Sequence, residues 1–211
     1  MIVGCGDKVE LTEIGKYIKH ALESQENECI KLACGIISDL AEDARMADFL
    51  VDFVPCLHKI LSDQTLQREI KIPALHALGE LCLNQGQIFN QIYLDNTLTL
   101  LNLAARASIQ TGSHIEDQET VEYMKELRET IIDQYTVILM SAEDNQCLDK
   151  FNNYLEMMFD FLEAASKIDQ SPTSIGLIIT LVGDLSKAFS SNAGVKQRAM
   201  MPYIEQSILM L

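Results

Sequence analysis

Apolar side chains return along the chain every three or four residues, the period of a helix that buries one face. Between 46 and 62, Phe49, Leu50, Phe53, Val54, Leu57, Ile60 and Leu61 share such a face, so the spacing predicts an amphipathic helix there. Ser62-Asp63-Gln64 supply turn and cap chemistry behind it. A partner helix follows over 67–84, where Ile70, Ala74, Ala77, Leu78 and Leu81 align and Asn84-Gln85-Gly86 end the run. The small Ala74, Ala77 and Gly79 let two helices approach closely, and Pro73 either bends this second helix or sits near its start. Extended along the chain, the same reading gives helices over 8–24, 26–43, 46–62, 67–84, 87–108, 117–141, 148–168, 172–190 and 197–211, with turn formers and acids interrupting the pattern at 109–118.

The pattern repeats. Ile36-Ile37-Ser38-Asp39-Leu40 recurs 41 residues later as Ala77-Leu78-Gly79-Glu80-Leu81, and again as Leu181-Val182-Gly183-Asp184-Leu185 after a longer, irregular repeat. A period near 41 belongs to two-helix solenoid units of the HEAT and armadillo kind. Each such unit has an apolar face that only its neighbour can cover. The expected fold is therefore all-α: a right-handed α-solenoid of antiparallel helix hairpins (HEAT repeats), about four hairpins plus a final helix. It forms one segment over 1–211. Apolar Ile208-Leu209-Met210-Leu211 closes the sequence with no polar capping repeat, which reads as a fragment of a longer protein.

Composition narrows the chemistry. The longest uncharged apolar stretch, 175–182, falls well short of the roughly 20 residues that cross a bilayer, so no membrane insertion is expected. Six cysteines (Cys5, Cys29, Cys34, Cys56, Cys82, Cys147) form no CxxC pair and mostly sit among apolar neighbours, as in a reducing cytosolic or nuclear compartment. His20, His58, His76 and His114 stand at no ligand-like spacing to them, so no metal is expected. Neither GxxxxGK[ST] nor GxGxxG occurs, and neither His58 nor His76 has a nucleophile and an acid at a triad-like spacing. No cofactor and no catalysis are expected. The formal charge of −15 argues against direct nucleic-acid binding. It suits a basic protein partner, and equally suits keeping an elongated helical protein in solution.

From about Glu13 to the C-terminus the chain resembles the C-terminal half of the importin-β (karyopherin-β1) family. The pieces that carry the likeness are Ala33-Cys34-Gly35-Ile36-Ile37-Ser38-Asp39-Leu40, then Leu78-Gly79-Glu80-Leu81, then Tyr123 with Glu126-Leu127-Arg128-Glu129 and Tyr135-Thr136, then Gly176-Leu177 and Val182-Gly183-Asp184-Leu185. The piece over 123–136 is the most specific, because the Gly-acid-Leu ending occurs in HEAT repeats generally. Ser38 stands where Gly is usual and Glu80 where Asp is usual. The resemblance implies a nuclear import receptor segment, in the cytoplasm, in the nucleus and at nuclear-envelope pores. Its implied partners are importin-α or another basic cargo segment, phenylalanine-glycine (Phe-Gly) nucleoporins, and Ran-GTP with its main site outside this stretch. A HEAT-repeat scaffold subunit of another multiprotein complex is the alternative.

Two surfaces are candidates for those partners. Glu122, Glu126, Glu129 and Asp133 are spaced four, three and four apart, one acidic stripe on the predicted helix 117–141. Val121, Met124, Leu127, Ile131, Tyr135 and Ile138 make the opposite, packed face. Such a stripe can meet an Arg- and Lys-rich helix; an ordinary solvated face, partly neutralised by Lys125 and Arg128, has the same spacing. The repeated acids Asp39, Glu80 and Asp184 pose the same choice, with hydrogen bonding within or between repeats as a third. Phe53, Leu57, Leu78, Phe89 and Tyr93 are the candidate linings of shallow apolar pockets for a Phe ring, although each also fits the core period of its helix.

Overall fold

The computed structural model describes residues 11–110 and 117–190. Among them it holds helices and no strand: α1 (Leu11–Leu22), α2 (Asn27–Leu40), α3 (Leu50–Ser62), α4 (Lys71–Asn84), α5 (Gly86–Ile92), α6 (Leu94–Gln110), α7 (Gln118–Asp144), α8 (Leu155–Ile168) and α9 (Pro172–Ala188). The start of the first predicted helix, most of the interruption at 109–118 and the final predicted helix over 197–211 lie outside the described residues. The contacts divide the chain into two compact units, with the boundary after Leu100.

In the first unit a short connection joins α1 to α2, and a turn of 3-10 helix (Arg68–Ile70) leads into α4. Connections this short fold the second helix of each pair back on the first. Each pair packs together, α1 also packs on α3, and α2 packs on α4. This is the two-layered stacking that the 41-residue repeat predicts. α4 is covered on most sides, burying Ile72, Ala74, Leu75, Ala77, Leu78, Gly79, Leu81 and Cys82. Its small residues are therefore what allow α2 and α3 to close around it. Pro73 is the third residue of α4, where a missing N–H breaks no intrahelical bond. Pro55 lies inside α3, which continues through it without an N–H to offer the carbonyl of the well-exposed Val51.

The helix predicted over 87–108 is two helices, α5 and α6, broken at Tyr93. At the break Tyr93 has φ −113° and ψ −15°, and Phe89, Leu94 and Leu98 are fully buried on either side of it. The break turns the second segment so that Leu94, Leu98, Leu101 and Ala105 all point inward. Two further predicted helices, 46–62 and 148–168, open with 3-10 segments (Ala44–Phe49 and Leu148–Asn153) before becoming α3 and α8.

In the second unit α9 packs on both α7 and α8. Asp117 caps the 27-residue α7, accepting hydrogen bonds from the Thr120 N–H (3.0 Å) and hydroxyl (2.7 Å). Ile131, Tyr135 and Ile138 of α7 meet a core that includes Phe151, Phe161, Leu162, Leu181 and Leu185. The Tyr135 and Phe161 rings lie 6.3 Å apart, and the fully buried Tyr135 hydroxyl donates to Asn102 Oδ1 on α6 at 2.9 Å. Burial pushes that phenol well above its ordinary range, so it stays a donor.

Candidate functional site

The acidic stripe of α7 divides. Glu122 and Glu126 are exposed, and Glu122 accepts a hydrogen bond from Gln118 Nε2 at 2.9 Å. Glu129 is half-buried: its Oε1 accepts from the Ser174 hydroxyl at 2.6 Å, tying α7 to the start of α9, and Lys125 Nζ stands 3.7 Å away. Asp133 is half-buried beside Gln134 Nε2, at 3.3 Å. Spacing alone makes four equal carboxylates; packing leaves two to solvent and commits a third to a helix contact.

Arg128 departs from the expectation that it neutralises this face. Its guanidinium is buried, pairs with both oxygens of Asp169 through Nε and Nη2, and donates to the Ser108 carbonyl through Nη1 at 2.9 Å. A forked cation with three committed donors has no charge to spare for a surface partner. Val121, expected on the packed face, is exposed, because the buried residues of α7 begin only at Leu127. Of the repeated acids, Asp39 is exposed, Asp184 is half-buried, and Glu80 accepts from Asn84 Nδ2 one turn later at 3.2 Å.

Of the two roles open to the candidate aromatic-docking residues, four of the five take the core one. Phe53, Leu57, Leu78 and Phe89 are no more than 1% exposed and form the interior of the first unit, offering no surface to a ring arriving from outside. Their periodicity recorded their burial. Tyr93 alone is half-exposed, with the Phe89 ring 5.8 Å and the His58 ring 6.5 Å from its own. The apolar groups that the first unit does expose are others: Tyr17, Leu32, Val51 and Ile92, each more than 60% exposed. The signal for them is the complement of the core period, apolar residues on the polar side of an otherwise amphipathic helix.

Two polar features complete the first unit. His58 Nε2 and Thr97 Oγ1 are 2.9 Å apart, and the Thr97 hydroxyl proton is given to the Tyr93 carbonyl at 3.0 Å. Nε2 must therefore carry a proton and donate. Burial holds this imidazole well below its ordinary value, at about 4, so it is neutral at pH 7. A cleft of about 460 Å³ opens between the α1–α2 turn and the end of α3, lined by groups such as Glu23, Gln25, Asn27, Lys59 and Gln67. Among the described residues no three His, Cys, Asp or Glu side chains gather as a metal site would require, and no helix is long and apolar enough to cross a membrane.

Comparison with known proteins matches residues 11–209 to the family described as importin subunit beta-1-like, TPR repeats. An importin subunit beta-1 of Schizosaccharomyces pombe is 26% identical over 177 residues, which is 82% of this chain and 20% of that protein. An importin subunit beta-1 of Arabidopsis thaliana is 24% identical over 192 residues, 87% of this chain and 21% of that protein. The chain thus spans about a fifth of the length of these relatives.

Proposed function

Because this chain belongs to the importin subunit beta-1-like family, we propose that it is a segment of a nuclear protein import receptor, working between cytoplasm and nucleus and at nuclear pores. The family match over residues 11–209 is the observation that carries this reading. The segment binds a basic helix of an importin-α-type adaptor or of cargo. The exposed carboxylates Glu122 and Glu126 of α7 meet its Lys and Arg side chains. Glu129 and Asp133 add field from half-buried positions. The charge of −15 supports this, since a long-range negative potential speeds the encounter with a cationic segment.

Phe-Gly nucleoporins dock where an aromatic ring can leave water beside side chains already in place. Tyr93, with Phe89 and His58 behind it and the exposed Ile92 one residue away, is the place in the first unit that fits. Ran-GTP regulates the cycle through a main site on the rest of the receptor.

The test is a titration of the chain with an importin-α-type basic N-terminal segment and with its charge-matched scramble, at low and moderate salt. Tighter binding of the true sequence, weakened by salt and lost in Glu122→Lys/Glu126→Lys, is expected. Equal binding of both peptides reduces the acidity to nonspecific attraction, and no binding of either ends the adaptor reading for this segment.

A further inference from the structure

Of the four prolines in the sequence, only Pro172 follows a hydroxyl residue, which makes Ser171-Pro172 the chain's single Ser/Thr-Pro dipeptide. It sits in the connection between α8 and α9, with Gln170, Pro172 and Thr173 exposed and Ser171 itself half-buried. The Ser171 backbone is extended, with φ −71° and ψ 148°, as the following proline favours. An extended Ser-Pro whose flanking residues are exposed is the form in which a proline-directed kinase takes its substrate. The surroundings tie this hydroxyl to a helix contact. Ser171 Oγ accepts from the Ser174 N–H at 3.2 Å as the N-cap of α9, and stands 2.8 Å from Ser174 Oγ. The Ser174 hydroxyl proton is already given to Glu129 Oε1 at 2.6 Å. The Ser171 proton therefore goes to Ser174 Oγ, and a relay runs Ser171 to Ser174 to Glu129, from the cap of α9 across to α7.

We propose that Ser171 is a phosphorylation site whose modification breaks the Ser174–Glu129 bond and loosens α7 from the start of α9. In the transfer, Ser171 Oγ attacks the γ-phosphorus of a nucleoside triphosphate held by the kinase. The Oγ–P bond forms, the bond to the β-phosphate oxygen breaks, the diphosphate leaves, and the hydroxyl proton passes to the kinase's base. Ser171 then has no proton to donate, and its phosphate oxygens compete with Glu129 for the one proton of Ser174. The phosphate brings a charge of roughly −1.5 to −2 at neutral pH. Two carboxylates are near: Glu129, reached through Ser174, and Asp169, two residues back. Asp169 is held by Arg128 through two donors, whereas Glu129 has the Ser174 hydroxyl and Lys125 at 3.7 Å. Glu129 is the group that moves, toward Lys125. α9 itself tolerates the change, because the N–H groups of its first turn favour an anion.

The experiment treats the 211-residue chain with a proline-directed protein kinase and ATP, maps phosphate by peptide mass spectrometry, and follows amide hydrogen exchange. Phosphate on Ser171, absent in Ser171→Ala and lost in Pro172→Ala, is expected, with faster exchange over residues 125–133 and unchanged or slower exchange over 173–177. In Glu129→Gln, where the repelling charge is gone, phosphorylation should no longer speed exchange in α7. A kinase that modifies a short peptide spanning residues 165–178 but leaves the folded chain untouched would overturn the site. Phosphate on Ser171 with exchange in α7 unchanged would overturn the switch.

Discussion

Two inward-facing polar residues, His58 and Arg128, carry consequences that can be measured one at a time. His58 is neutral in the fold because burial lowers its proton affinity from the ordinary value near 6.5 to about 4. The unfolded chain therefore binds the proton more readily, so this group's contribution is complete above pH 6.5 and is lost as pH falls toward 4. The melting temperature should fall between pH 7 and pH 5, and fall less in His58→Gln; equal falls would show that other groups set the response. Asp43, held at about 2 by Arg45, and Asp63, lowered by Thr65, titrate below that window. Arg128 poses a different risk. Arg128→Met strands the Asp169 carboxylate, which is 11% exposed, and should cost about 3 kcal/mol in urea unfolding. Arg128→Met/Asp169→Leu should recover part of that loss. A double variant as unstable as the single would mean that the Ser108 carbonyl, not the charge, is what suffers.

Between elements, α1 meets the 3-10 segment ahead of α3 so closely that Gly15 has no room for a side chain. A Cβ placed on Gly15 would run into the Phe49 ring, 2.7 Å from Cδ1 and closer still to Cε1. Helix propensity favours Ala over Gly by about 1 kcal/mol, and overpacking costs about 1–3 kcal/mol, so packing should win. Gly15→Ala is expected to lower the melting temperature, with Gly15→Ala/Phe49→Leu restoring much of it. A stabilised single variant would show that Phe49, which is half-buried and stacked on Phe53 at 5.6 Å, swings aside freely.

For the molecule as a whole, self-repulsion is the dominant electrostatic fact. A charge of −15 acts against compactness, and most of the ion pairs, such as Lys16–Glu13 and Lys167–Glu163, are exposed and contribute little. Raising salt shortens the screening length from about 30 Å at 0.01 M to about 8 Å at 0.15 M. The melting temperature should therefore rise over that range; a fall would mean that surface ion pairs outweigh repulsion. The same salt should weaken binding of a basic segment, so stability and affinity are expected to move in opposite directions.

By itself the sequence determined the all-α class, the hairpin order and the family, because each rests on period and order, which are local properties of a chain. The 41-residue echo of Asp39 in Glu80 places both acids on helices that pack together, α2 and α4. What a periodic position faces was decided only by the tertiary structure. Phe53, Leu57, Leu78 and Phe89 read more readily as core than as pocket linings, and only the neighbours that close over them settle it. Arg128 and Glu129 look like adjacent surface charges, yet one is buried on Asp169 and Ser108, 41 and 20 residues away in sequence, and the other is bonded to Ser174, 45 residues away. A charged group's fate depends on which distant donor or acceptor folding brings within about 3 Å, and spacing along one helix holds no record of that.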